Sequence, residues 1–151
     1  MKKKLTLFCM IMLLAACGSS SKDKSVTCTF DSGDSGVVEK VDVTYDSDKK
    51  VKSLIVSQEA ALADYLFEDY DVKELEELYK DKYVNPNKKQ EGLTFDISVD
   101  KKAKKLFVKV EVDTSKVSES DMTDLGLNDF KEVNDLVKGL KANNYTCDKI
   151  E

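Results

Sequence analysis

The sequence contains no histidine, no tryptophan and no arginine; all 24 of its basic residues are lysines. Imidazole general bases, histidine metal sites and guanidinium clamps on phosphate or carboxylate are therefore excluded. With one proline and six glycines in 151 residues, 41% of them hydrophobic and 35% charged, the chain is neither collagen-like nor disordered in composition, and it fits one ordered domain. No phosphate-binding loop, dinucleotide fingerprint, nucleophile elbow or zinc spacing occurs.

Apolar runs are also scarce, with one exception at the start. Lys2, Lys3 and Lys4 precede Leu5 to Leu14, which is broken only by Thr6. That stretch is too short to cross a bilayer as a helix, which takes about 20 residues, but it matches the h-region of a secretory signal. It ends in Leu14-Ala15-Ala16-Cys17-Gly18, the pattern of a bacterial lipobox, in which a peptidase cuts before a diacylglyceryl-modified cysteine. The reading is a signal peptide over 1–16, cleavage after Ala16 and lipid on Cys17. The competing reading is an ordinary signal peptide with a chance cysteine.

Cleavage after Ala16 removes 16 of the 151 residues and three lysines, leaving 21 lysines against 29 acids and a net charge of −8. An acidic body repels phosphate backbones and anionic headgroups, so no nucleic acid is expected as a partner and the acyl chains must do the anchoring. Each buried CH₂ contributes about 0.8 kcal/mol, and two chains suffice for stable attachment. Residues 17–25 then form the lipidated cysteine and a polar tether, and 26–151 the single domain. The expected location is the cell membrane, lipid-anchored on its extracytoplasmic face.

Of the four cysteines, Cys9 leaves with the signal and Cys17 carries lipid, so Cys28 and Cys147 are the remaining pair. Outside the cytoplasm a disulfide between them can persist. Closing so long a loop stabilises by roughly 4 to 5 kcal/mol in the chain-entropy model. Two buried free thiols are the alternative.

Along the body, Val26 to Phe30 reads as a strand, Asp31 to Gly36 as a turn, and Val41, Val43 and Tyr45 alternate with polar residues as a second strand. Val51 to Ser57 gives a third, completing a meander. In Asp71 to Tyr83 the period becomes helical through Val72, Leu75, Leu78, Tyr79 and Tyr83, with Asp71 and Glu74 as a capping box and Asn85-Pro86 as the stop. Leu93 to Val99 and Leu106 to Val112 alternate as a hairpin. Phe130, Val133, Leu136, Val137 and Leu140 mark a second helix entered by Asn128 or Asp129, and Tyr145 to Ile150 reads as a closing strand. The expected order is βββ-α-ββ-α-β. The fold class is α+β, an antiparallel sheet of about five to six strands with both helices packed on one face. A closing strand beside the first would bring Cys147 to Cys28.

Asp48 to Val56 and Asp100 to Val108 agree at six of nine positions, and Asp71, Lys73, Glu74, Leu78 and Lys80 recur as Asp129, Lys131, Glu132, Leu136 and Lys138. A hairpin-plus-helix unit used twice explains this, as does the abundance of Lys, Asp and Glu.

Cys17 at a lipobox, Val43-Thr44-Tyr45 leading through Lys50-Val51 into a strand, and a last helix running into Asn144-Tyr145-Thr146-Cys147 together resemble the YehR-type bacterial lipoproteins. Those are small envelope proteins built on a domain of unknown function. The resemblance implies an α+β lipoprotein domain and supplies no catalytic residues.

No cofactor and no metal is expected; Asp31 to Gly36 and Asp46 to Asp48 offer oxygens but fall short of an EF-hand and read as turns. Tyr65, Phe67 and Tyr70, interleaved with acids, are the candidate binding residues, for a cationic peptide, a glycan or an envelope protein; packing at the end of the core is the competing role. The lysine runs 49–52 and 101–105 read as solvated hairpin tips. The expected function is a noncatalytic, monomeric binding module of the cell envelope, not an enzyme. The alternative is a small carboxylate-dependent hydrolase acting on envelope polymers, recognisable by a deep cleft with converging acids.

Overall fold

The computed structural model describes residues 23–84 and 90–151. Ala16, Cys17, most of the expected tether and the Asn85-Pro86 stop lie outside the described residues. The chain forms β1 (Lys24–Asp31), β2 (Val37–Tyr45), β3 (Val51–Ala61), α1 (Leu66–Asp69), α2 (Val72–Tyr83), β4 (Leu93–Asp100), β5 (Lys105–Asp113), α3 (Glu119–Asp124), α4 (Val133–Ala142) and β6 (Thr146–Cys147). One antiparallel sheet runs in the order β4-β5-β3-β2-β1-β6, so the fold is the expected α+β arrangement. No helix among the described residues is long and apolar enough to cross a membrane.

Strand alternation sorts side chains onto two faces. One face carries cross-strand rows such as Val26, Val43, Leu54, Val112 and Leu93, followed by Cys28, Val41, Val56, Val110 and Phe95. Most of these residues are buried, and α2 and α4 cover them. The other face is open and polar, with ion pairs such as Lys40–Asp42 at 2.7 Å and Lys109–Glu111 at 2.6 Å. Exposed pairs of this kind contribute about 0–1 kcal/mol each.

The helices attach unequally. α4 buries Val133, Leu136, Val137 and Leu140, whereas α2 buries Leu75 alone. Leu78, expected on the apolar stripe, is 50% exposed. α2 is entered by the expected capping box: Asp71 Oδ1 accepts from the Glu74 amide at 2.9 Å and Glu74 Oε2 from the Asp71 amide at 2.8 Å. Asp71→Ala is expected to cost about 1 kcal/mol, read as a lower urea midpoint at unchanged m-value. From the same helix Glu76 accepts the Val99 amide of edge strand β4 at 3.0 Å, occupying a donor that would otherwise be available to another chain.

Four expectations are corrected. The second helix begins at Val133, with Glu132 as N-cap, and not at Asn128 or Asp129. Asp129 sits at φ 54°, and the extended backbone after it bonds to the β2–β3 turn: Val51 N–H donates to Lys131 O and Val133 N–H to Lys49 O. The closing strand is two residues long, because after the Asp148 amide donates to Thr27 O the chain turns to Tyr45, whose hydroxyl accepts from the Glu151 amide. Lys24 and Ser25, expected in the tether, pair with Tyr45 and Thr44. Short helices at α1 and α3 form where loops were expected.

Gly92, at the start of β4, has φ 78°, and a Cβ there would lie 2.7 Å from the Val117 amide nitrogen. Only glycine admits that approach, which seats the loop leading into α3 against the sheet.

Candidate functional site

The apolar phase of the covered face is broken in one place. Continuing β2 back from Tyr45, Val43 and Val41 puts Glu39 in the same phase, and continuing β3 forward from Leu54 and Val56 does the same for Gln58. Glu39 and Gln58 are direct cross-strand partners, in a row with Phe30, Val108 and Ile97. Their Cβ atoms are therefore about 4.5–5.5 Å apart. A carboxylate and an amide on the two central strands, facing the core side, are costly unless hydrogen-bonded.

Both are hydrogen-bonded, by phenols from different elements. Tyr83, at the end of α2, donates its hydroxyl to Gln58 Oε1 at 2.7 Å. Tyr145, just before β6, donates to Glu39 Oε1, and its ring lies 5.5 Å from that of Phe30. Burial raises the Tyr145 hydroxyl well above its ordinary pKa, reinforced by the hydrogen bond to Glu39. Burial also raises Tyr83, with Tyr79 and Glu39 adding to the effect. Both phenols remain protonated donors.

Above this pair lies a cleft of about 520 Å³, floored by Val56, Val108, Val110 and Phe95 and walled among the described residues by Asp81, Lys82 and Tyr83 of α2, Gln90, and Asp121, Asp124 and Leu125 around α3. That volume falls within the range of small-molecule sites, about 300–1,000 Å³. Asp121 is buried, its Oδ2 accepting from Ser118, which also caps α3. Among the described residues no group of three or more Cys, Asp and Glu side chains is placed to hold a metal ion. Asp46 and Asp31 accept backbone amides in their own turns, Asp46 from Asp48 and Lys50 and Asp31 from Gly33.

The residues expected from sequence lie elsewhere. Cys28 and Cys147 are register partners of β1 and β6 and are joined as a disulfide, as the placement of the closing strand implied. Tyr65 and Tyr70 flank α1 and are 62% and 42% exposed, while Phe67 between them packs against the core. These three do not line the cleft. They lie at the end of the sheet opposite Lys24, since the Leu62 amide donates to Lys104 O in the β4–β5 turn. Of the residues missed, Glu39 and Gln58 had one readable signal, polar side chains in the apolar phase of two otherwise regular strands, and Tyr83 and Tyr145 had none.

The sheet and its helices thus define a two-layer α+β domain with one open sheet face and the Glu39–Gln58 cleft on the helix-covered face. In comparison with solved structures, the chain is similar to an NMR structure of a protein from Streptococcus pneumoniae TIGR4, at 15% identity over 98% of each chain with a TM-score of 0.61. At that identity the likeness shows the fold alone. No family model matches the chain, and no curated protein does.

Proposed function

We propose that this chain is a lipid-anchored extracytoplasmic lipoprotein that serves as a noncatalytic binding module of the cell envelope. The observation that carries the reading is the lipobox, Leu14-Ala15-Ala16-Cys17, set behind three lysines and an apolar run of signal length. The Cys28–Cys147 disulfide supports it, because such a bond persists in an oxidising compartment. The resemblance to the YehR-type lipoproteins supports it as well. With β1 starting at Lys24, five residues (18–22) separate Cys17 from the first described residue, Asp23, a reach of about 22 Å at most. The domain would stand close to the bilayer, with Tyr65 and Tyr70 at the far end.

A small carboxylate-dependent hydrolase acting on envelope polymers is the second reading, favoured by the carboxylates of Glu39, Asp81, Asp121 and Asp124 in one cleft. Set against it, Glu39 is held by Tyr145 as an acceptor in a row of packed side chains, which suits a fixed binding contact.

The anchor is tested by Cys17→Ser. Cells expressing the variant are expected to accumulate unprocessed precursor that takes up no labelled fatty acid, whereas the parent is labelled and shortened. Labelling and processing equal to the parent's would refute the anchor.

A further inference from the structure

The floor of the cleft has a chemical polarity that the proposed binding role leaves unassigned. Tyr83 donates to Gln58 Oε1, which fixes the amide so that its Nε2 donors face away from that bond. Tyr145 takes Glu39 Oε1, leaving Oε2 as an acceptor. Side by side, then, stand one acceptor and one donor, bordered by Val56, Val110 and Phe95. The group complementary to this set has one N–H, one C=O and a small apolar substituent, which is a secondary amide.

Secondary amides occur in peptides and in N-acetylated sugars, and the position of the pair separates the two. Extended peptides bind by adding to a sheet edge through main-chain hydrogen bonds. Glu39 and Gln58 sit on β2 and β3, in the middle of the sheet, where ladders to neighbouring strands consume the backbone groups. Only side chains can serve a ligand there. A compact ring with point-like polar substituents and an apolar face suits that floor, and about 520 Å³ accommodates two such rings.

We propose that the Glu39–Gln58 cleft binds the acetamido group of an N-acetylated amino sugar. The acetamido N–H donates to Glu39 Oε2, its C=O accepts from Gln58 Nε2, and its methyl group rests on Val56 and Phe95. The inference rests on the envelope binding role for its setting but not for its chemistry, so a failure here leaves the fatty-acid test of the anchor standing.

The test is a titration of the full chain, purified in detergent with its disulfide intact and labelled with ¹⁵N, using N,N′-diacetylchitobiose. Amide resonances of Glu39, Gln58, Phe95 and Val108 are expected to shift with a Kd of about 1 mM or tighter. Maltose, which lacks the acetamido group, is expected to leave them in place. Glu39→Gln keeps the shape and an acceptor for Tyr145 but sets a donor against the ligand N–H, and should weaken binding about tenfold or more. Gln58→Leu should do likewise, and Ser57→Ala, on the opposite face of the same strand, should leave affinity unchanged. An undisturbed spectrum for Glu39→Gln, with wild-type affinity, overturns the proposal. So does equal binding of maltose or of N-acetylalanine methylamide, or the absence of shifts at these amides up to about 20 mM disaccharide.

Discussion

Replacing Cys28 and Cys147 together by alanine is expected to lower the free energy of unfolding by about 2–5 kcal/mol. The bond closes a loop spanning 119 positions, so nearly the whole ordered chain lies inside it, and freeing that loop enlarges the unfolded ensemble. The native state loses little packing at Cys147, which is only partly buried, and more at Cys28, which is fully buried between β2 and β6. β6 is two residues long and pairs with β1 only at Cys28 and Thr29, so without the bridge the strand has little to hold it. Tyr145 immediately precedes it, and the hydroxyl bond to Glu39 should loosen with the strand. The measurement is urea unfolding of the oxidised parent, the parent in reductant and the double variant. Reduced parent and variant should coincide, with midpoints about 1–2 M below the oxidised protein. Midpoints agreeing for all three forms would show that the bridge contributes nothing.

How much of this was legible in the chain depends on whether a residue's role is local. Strand phase is local: Val41, Val43 and Tyr45, or Leu106, Val108, Val110 and Val112, announce a face by alternation alone, and the structure buries them on one side. The α2 capping box is local too, needing only Asp71 and Glu74 three residues apart. The entry to α4 is not. Asn128 and Asp129 have the side chains of good caps, yet the helix waits until Val133 because the backbone from Lys131 to Val133 is claimed by the distant β2–β3 turn. The apparent repeat divides along the same line. Leu54 and Leu106, equivalent in its strand half, are both buried, while Leu78 and Leu136, equivalent in its helical half, are exposed and buried respectively.

The candidate site shows the limit more sharply. Glu39 and Gln58 are visible as phase errors only once β2 is extended back to Val37 and β3 forward to Ala61, beyond the strand ends that apolar alternation marks. Their partners Tyr83 and Tyr145 come from a helix end and a strand end, and no spacing in the sequence links them. Aromatic density drew attention to Tyr65, Phe67 and Tyr70, but density does not distinguish a ring that packs, as Phe67 does, from rings left in solvent.

Leu75→Ala is expected to cost about 2–5 kcal/mol, a large effect from a helix whose other core contacts, Val72, Tyr79 and Tyr83, are only partly buried. Leu75 is fully buried and is the one buried residue of α2. A helix of 12 residues has marginal stability in water without a packed face, so the loss of this contact should be felt as release of the whole element. With α2 would go the Tyr83 bond that orients Gln58 and the Glu76 carboxylate that caps the edge amide of Val99. Hydrogen exchange should therefore show α2 amides opening at lower free energy than those of β2 and β3, a sub-global event and not a uniform loss. The bared β4 edge should also raise concentration-dependent association. Leu78→Ala, one turn along and 50% exposed, serves as the comparison and should stay within about 0.5 kcal/mol of the parent. If the two alanine variants unfold at the same urea concentration, Leu75 does not hold the helix, and the cleft wall that α2 forms must be fixed by some other contact.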